Sequence, residues 1–101
     1  MKARSIKTVD VTVKEWFDRI NGNSYFSGEV IINYGLSNPK MIKLPFQYGY
    51  GDHYRYVALD SIKKELNCLK KYNSYWRAFQ DNKIIARYNK YENCKKSELL
   101  N

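Results

Sequence analysis

Phe46–Tyr56 reads FQYGYGDHYRY and marks the point where an apolar strand turns into a helix. Gly49 and Gly51, which are separated by one residue, predict a sharp turn with positive φ. Asp52 follows at the position expected of a helix N-cap, because its carboxylate can accept from the free N–H groups of the first turn. The stretch therefore predicts a strand–turn–helix unit in which Gly49, Gly51 and Asp52 have structural roles.

The residues before this stretch predict three strands. Alternating valines begin a first strand at Val9, with the period of a half-buried strand. The Asn-Gly-Asn sequence at 21–23 is a hairpin signal, and a second strand is expected at about 25–34. A third strand covers residues 42–48, and Pro45 favours an edge position because it cannot donate to a ladder. These three strands form an antiparallel meander.

After the glycine turn, apolar residues recur at steps of three and four and predict one helix. The stripe consists of Tyr54, Ala58, Ile62, Leu66 and Leu69. The helix is expected to end near residues 72–73, with Lys70 and Lys71 close to the negative end of its dipole.

Two further strands are expected at residues 75–79 and 84–88, and a second helix over residues 83–92 is the alternative. The sequence thus predicts an α+β fold of the order β-β-β-α-β-β. Its antiparallel sheet of about five strands has one helix packed on one face. Residues 1–94 form a single domain, and residues 95–101 form a frayed tail.

Composition excludes several classes of protein. The chain has 101 residues, of which 44% are hydrophobic and 16% aromatic, so a packed core rather than disorder is expected. A mean hydropathy of −0.69 without a long apolar run argues against a membrane partner. No signal peptide is recognisable, and we expect a cytoplasmic protein. Cys68 and Cys94 are too few and too far apart for a zinc site, so neither a metal nor another cofactor is expected.

The net charge of +8 and the pI near 9.5 predict an anionic partner. The surplus is uneven along the chain. Residues 1–52 hold seven basic and five acidic side chains, whereas residues 53–101 hold eleven and five. Nucleic acid is the polyanion that best fits such a chain.

The sequence contains no recognisable catalytic group. His53 is the only histidine, and no second catalytic side chain accompanies it. Gly49 and Gly51 form a pattern too short for a phosphate-binding loop. Neither an enzyme nor a small-molecule substrate is therefore expected.

Nucleic-acid binding needs cations for phosphates and flat side chains for bases. If the valine face packs on the helix, Lys14, Trp16, Tyr25 and Lys43 share the open face of the sheet. The alternative is that Trp16 and Tyr25 only form a cross-strand pair that stabilises the hairpin. The complete set of candidate contacts is Lys14, Trp16, Arg19, Tyr25, Lys43, Lys63, Lys64, Lys70, Lys71, Arg77 and Arg87.

Three parts of the sequence are distinctive together: residues 21–25, Pro45 with Phe46, and the run Tyr48–Tyr54. In these parts the chain resembles a group of small uncharacterised proteins encoded by bacteriophages and other mobile elements. The resemblance covers roughly residues 9–70, and its most specific piece is the Tyr-Gly-Tyr-Gly run. It carries over no functional residues. It implies a viral gene product that acts in the cytoplasm of a bacterial host.

Three functions fit these observations. The favoured one is a non-enzymatic protein that binds nucleic acid through phosphate contacts. The alternative is an inhibitor or regulator of a host nucleic-acid-processing complex, for example an anti-defence protein similar in role to anti-CRISPR proteins. The third is a minor virion component.

Overall fold

The computed structural model describes residues 1–100 and confirms the α+β class. A single sheet has the strand order β3-β2-β1-β4. The strands are β1 (Thr8–Asp18), β2 (Asn23–Ile32), β3 (Lys40–Tyr48) and β4 (Ile85–Tyr91). The helices are α1 (His53–Leu66), α2 (Tyr75–Asp81) and α3 (Lys96–Leu99), and a short 3-10 turn spans Ala3–Ser5.

The sheet has four strands rather than five, and it is mixed rather than antiparallel. The strand predicted at 75–79 is wrong, because these residues belong to α2 and bury Ala78 and Phe79. The strand predicted at 84–88 is close to β4, and the alternative of a helix over 83–92 is wrong. β4 lies parallel to β1 because α1 carries the chain back to the end at which β1 begins.

One face of the sheet, the helix face, forms the core. Val9, Val11 and Val13 are fully buried there, as the alternation predicted. Tyr54 and Ile62 of α1 belong to the same apolar cluster. The opposite side of the sheet, the outer face, carries the intervening residues of β1 together with their cross-strand neighbours.

Gly28 allows β1 and β2 to approach each other closely at a register irregularity between β2 and β3. A Cβ atom at this position would lie 2.0 Å from the carbonyl oxygen of Thr12 and 2.7 Å from the Cα of Val13. Both neighbours are backbone atoms, so a side chain could enter only if the strands separated. The structure thus requires glycine here because space is lacking.

The glycine turn before α1 differs from its prediction in the role of Gly49. Gly51 has a φ of 63°, whereas Gly49 is not among the positive-φ residues. Gly49 is instead required by packing, because a Cβ atom would lie 2.4 Å from Cε1 of the buried Phe26. Asp52 occupies the N-cap position, but its carboxylate makes no capping hydrogen bond and lies 3.8 Å from Nε of Arg55.

Helix α1 ends at Leu66, several residues before the predicted end. Asn67 adopts the left-handed conformation with a φ of 53°, which stops the helix. Lys70 and Lys71 consequently lie in the loop after α1, so the prediction that they face the helix dipole is wrong.

Residues 95–100 are ordered, whereas the sequence suggested a frayed tail from Lys95 onward. It contains α3, and Leu99 is only 2% exposed. The hydroxyl of Ser27 donates to the carbonyl oxygen of Leu99 over 2.8 Å. This contact places α3 on the outer face of the sheet.

Candidate nucleic-acid interface

Three strand starts and one strand end meet at the same end of the molecule. Val9 lies opposite both Ile32 and Ala86, and Ile32 lies opposite Lys40. The starts of β1, β3 and β4 are therefore neighbours of the last residue of β2. The C-terminus of α1 reaches the same place, because the amino group of Met1 donates to Leu66 O over 3.2 Å.

We call this region the basic end, because it gathers cations from four separate segments. Its basic residues are Lys2, Arg4, Lys7, Lys40, Lys70, Lys71 and Lys83. All seven are exposed, and none lies within 4.0 Å of a carboxylate among the residues that the structure describes. The acidic residues at the adjoining helix ends are Glu65 and Asp81. The surplus of charge is thus concentrated here.

Asn33 fixes the segment that carries three of these cations. Its Oδ1 accepts from the backbone N–H of Lys7 at 2.7 Å and from that of Thr8 at 3.3 Å. Its Nδ2 donates to the carbonyl oxygen of Ser5 at 2.8 Å, and its own N–H donates to Thr8 O at 3.0 Å. The side chain is 1% exposed and the residue has a φ of 55°. One buried amide therefore holds the N-terminal segment against the sheet.

Two clefts flank that segment. One has a volume of about 370 Å³ and is lined by Ala3, Lys70, Lys71 and other residues of the loop after α1. The other has a volume of about 530 Å³, with Arg4 and Lys7 on one side and the β2–β3 loop on the other. Cations line both clefts, so a polyanion that followed them would meet positive charge along its path.

The opposite end of the molecule is balanced in charge. It carries the basic residues Arg19, Arg55, Lys90, Lys95 and Lys96, and the acidic residues Glu15, Asp18, Asp52, Glu92 and Glu98. Nζ of Lys90 lies 2.9 Å from Oε2 of Glu15, and Arg55 lies 4.1 Å from the ring centroid of Tyr88. Because five carboxylates balance the five cations, and Arg55, Lys90 and Lys96 face carboxylates or aromatic rings, this end contributes little positive field.

The outer face brings together the four residues predicted to share it. Trp16 stacks on Tyr25 with 5.5 Å between ring centroids, and Tyr25 stacks on Phe46 at 5.1 Å. The predicted cross-strand pair is therefore present. Lys14 and Lys43 are exposed beside it and line a groove of about 430 Å³. The face is not open as predicted, because α3 covers part of it.

The other predicted contact residues are dispersed. Arg87 binds Asp10 through two nitrogens, one of them at 2.9 Å, and this hydrogen bonding lowers the pKa of the Asp10 carboxyl. Lys63 donates to the carbonyl oxygen of Tyr72 over 2.7 Å. Both cations are occupied within the protein, so their predicted availability to a polyanion is not supported.

Three predicted contacts stand alone. Arg19 is exposed in the β1–β2 turn, and Lys64 and Arg77 are exposed on α1 and α2. None of them is one of the seven residues of the basic end, although Lys64 lies in the last turn of α1 beside it. Of the eleven candidates, only Lys70 and Lys71 lie there.

Five cations of the basic end were missed by sequence reasoning: Lys2, Arg4, Lys7, Lys40 and Lys83. Lys7 directly precedes β1 and Lys40 begins β3, so a hairpin meander already places those two at one end of the sheet. Lys83 could be added only once β4 was known to run parallel to β1.

Other kinds of site find little support within residues 1–100. No group of three or more His, Cys, Asp or Glu side chains could hold a metal ion. No helix in this range is long and apolar enough to cross a membrane. Cys68 is a buried free thiol whose pKa is raised by burial, and Cys94 is also free. His53 is exposed at the start of α1.

Comparison with known proteins finds no matching family model, no similar curated protein and no similar solved structure.

Proposed function

We propose that this chain is a small non-enzymatic protein that binds nucleic acid, chiefly through contacts between its basic end and backbone phosphates. The observation that carries this proposal is the gathering of seven exposed cations without carboxylate partners at one end. Duplex nucleic acid presents closely spaced phosphates along its axis, and a cluster of lysine and arginine side chains neutralises them with release of counterions.

The structure supports contact with phosphates better than recognition of base sequence. None of the seven cations lies in an α-helix of the described residues, so none is presented on a helix that could enter a major groove. Lysine provides six of the seven, with Arg4 the one arginine. Lysine ammonium groups act as point charges, whereas bidentate base contacts favour arginine. We therefore expect weak preference among sequences.

Salt dependence tests this proposal directly. If five to seven cations contact phosphates, the logarithm of the binding constant for a duplex should fall with log[salt] at a slope of roughly −4 to −6. Between about 50 and about 200 mM salt the affinity should drop roughly 10³-fold. Fluorescence anisotropy with a labelled duplex of mixed sequence would measure both quantities. A flat response, or no binding at low salt, would remove the proposal.

A second candidate function is inhibition of a host nucleic-acid-processing complex, and a different surface favours it. At the charge-balanced end, Phe17, Ile20, Tyr48 and Tyr50 are 48%, 93%, 63% and 78% exposed. Exposed apolar side chains gathered in one region are typical of protein contact sites. A phage-encoded protein, which the resemblance implies, would meet such a partner in the cytoplasm of its bacterial host.

The second candidate predicts a stoichiometric complex that survives nuclease treatment when the tagged chain is captured from bacterial lysate. The substitution Ile20→Asp should abolish that complex, because it places a charge in the exposed apolar region. The substitution Arg4→Glu at the other end should leave it intact. A complex that nuclease dissolves would instead indicate a nucleic-acid bridge.

A further inference from the structure

The C-terminal segment 94–100 lies across the outer face of the sheet and is held there by few contacts. The N–H of Cys94 donates to the carbonyl oxygen of Glu15 at 3.0 Å, and Ser27 Oγ donates to Leu99 O at 2.8 Å. Nζ of Lys96 lies 5.4 Å from the ring centroid of Trp16. Leu99 is the buried side chain of α3.

The surface beside this segment has the composition of a single-strand binding site. Trp16, Tyr25 and Phe46 form one aromatic cluster on three neighbouring strands. Lys14 and Lys43 line the adjoining groove and have no carboxylate within 4.0 Å among the described residues. Proteins bind unpaired nucleic acid with flat rings that stack on the bases and with nearby cations that contact the phosphate backbone.

Segment 94–100 occupies the place that a single strand of nucleic acid would take. Leu99 and Glu98 line the same groove as Lys14 and Lys43, and the carboxylate of Glu98 brings negative charge close to them. Lys96 lies over the ring of Trp16 and thereby covers a stacking surface. Departure of the segment would remove the carboxylate of Glu98, leaving Glu29 as the acidic residue of the groove, and would uncover the aromatic cluster in the same step.

We propose that segment 94–100 is a displaceable cover that competes with single-stranded nucleic acid for the outer face. The inference rests on the proposed function, because it assigns a second surface to the same class of ligand. A cover of four helical residues with one buried side chain opens more readily than the sheet beneath it. The apparent affinity for a strand is then reduced by the fraction of molecules that are open.

The substitution Leu99→Asp tests whether segment 94–100 is a displaceable cover. Leu100→Asp is its matched control, because Leu100 is the exposed neighbour of Leu99. Burying the new carboxylate is unfavourable, so Leu99→Asp should release the segment. If the cover is open in about a tenth of the molecules, release should raise the affinity for oligothymidylate about tenfold. Leu100→Asp should change that affinity by less than about twofold. Quenching of Trp16 fluorescence in a Trp76→Phe background would report the binding.

If Leu99→Asp leaves the affinity for single-stranded nucleic acid unchanged or lowers it, the proposal of a displaceable cover is overturned. Thermal melting followed by circular dichroism shows whether the variant is folded. If it is not, Ser27→Ala decides the question, because it removes only the hydrogen bond to Leu99. This variant should raise the strand affinity by a smaller factor, and no rise would again overturn the cover. Duplex affinity and its salt slope in the unaltered chain test the basic end separately, so failure of one proposal is distinguishable from failure of the other.

Discussion

Replacing Arg4 and Lys70 together with glutamate is expected to weaken duplex binding by roughly 100-fold. Each side chain lines one of the two clefts at the basic end. Loss of a charged hydrogen bond costs about 1.5–3 kcal/mol, or at least about tenfold in affinity for each contact. The salt slope should become shallower by about 2, because two phosphate contacts are removed. Anisotropy titrations at several salt concentrations would measure both changes.

The matched control is the pair Arg19→Glu and Arg77→Glu. It changes the net charge by the same amount, and both side chains are exposed outside the basic end and outside segment 94–100. A localised site predicts a much smaller loss of duplex affinity and an almost unchanged salt slope for this pair. Equal losses in the two double variants would mean that net charge alone attracts the nucleic acid. The basic end would then have no special role.

Asn33→Ala is expected to lower the free energy of unfolding by about 3–5 kcal/mol. The substitution leaves the N–H groups of Lys7 and Thr8 and the carbonyl of Ser5 without their side-chain partner. Each unsatisfied buried group costs about 1–3 kcal/mol. The left-handed conformation adds about 1 kcal/mol for alanine. Denaturation by urea would measure the loss, a large part of the total stability of a typical domain.

Asn38→Ala in the same loop separates the two contributions. Asn38 also has a positive φ, of 58°, but it is exposed. Its replacement should cost only about 1 kcal/mol. If both variants lose the same stability, the buried hydrogen bonds of Asn33 contribute nothing and the anchoring of the N-terminal segment has another cause. A weaker duplex affinity of folded Asn33→Ala would further link that anchor to the basic end.

The strands of the meander and helix α1 were predictable because their signals are local. The alternation from Val9 and the Asn-Gly turn at 21–23 define the first hairpin, and an apolar stripe beginning at Tyr54 defines the helix. The prediction was wrong at α2, where seven residues are too few for periodicity to separate a helix from a strand. It was also wrong on strand direction, since only the route of the chain through α1 makes β4 parallel to β1.

The candidate site was less predictable than the fold. Lys14, Trp16, Tyr25 and Lys43 were placed on a common face by the two-residue period of strands, and they do share it. The basic end was not foreseen as a unit, because its cations come from segments as far apart as Lys2 and Lys83. Likewise, the tail looked frayed because nothing local in its sequence shows that Leu99 is buried on the sheet.

The class of fold, the buried face of β1 and the surplus of positive charge all follow directly from the order of the amino acids. These properties depend on the type of each residue and on spacing over a few neighbours, which the chain displays directly. The place where the surplus charge gathers and the segment that covers the outer face become visible only in the folded chain. Both depend on which distant segments meet, and that is fixed by packing and crossover direction rather than by any short stretch of residues.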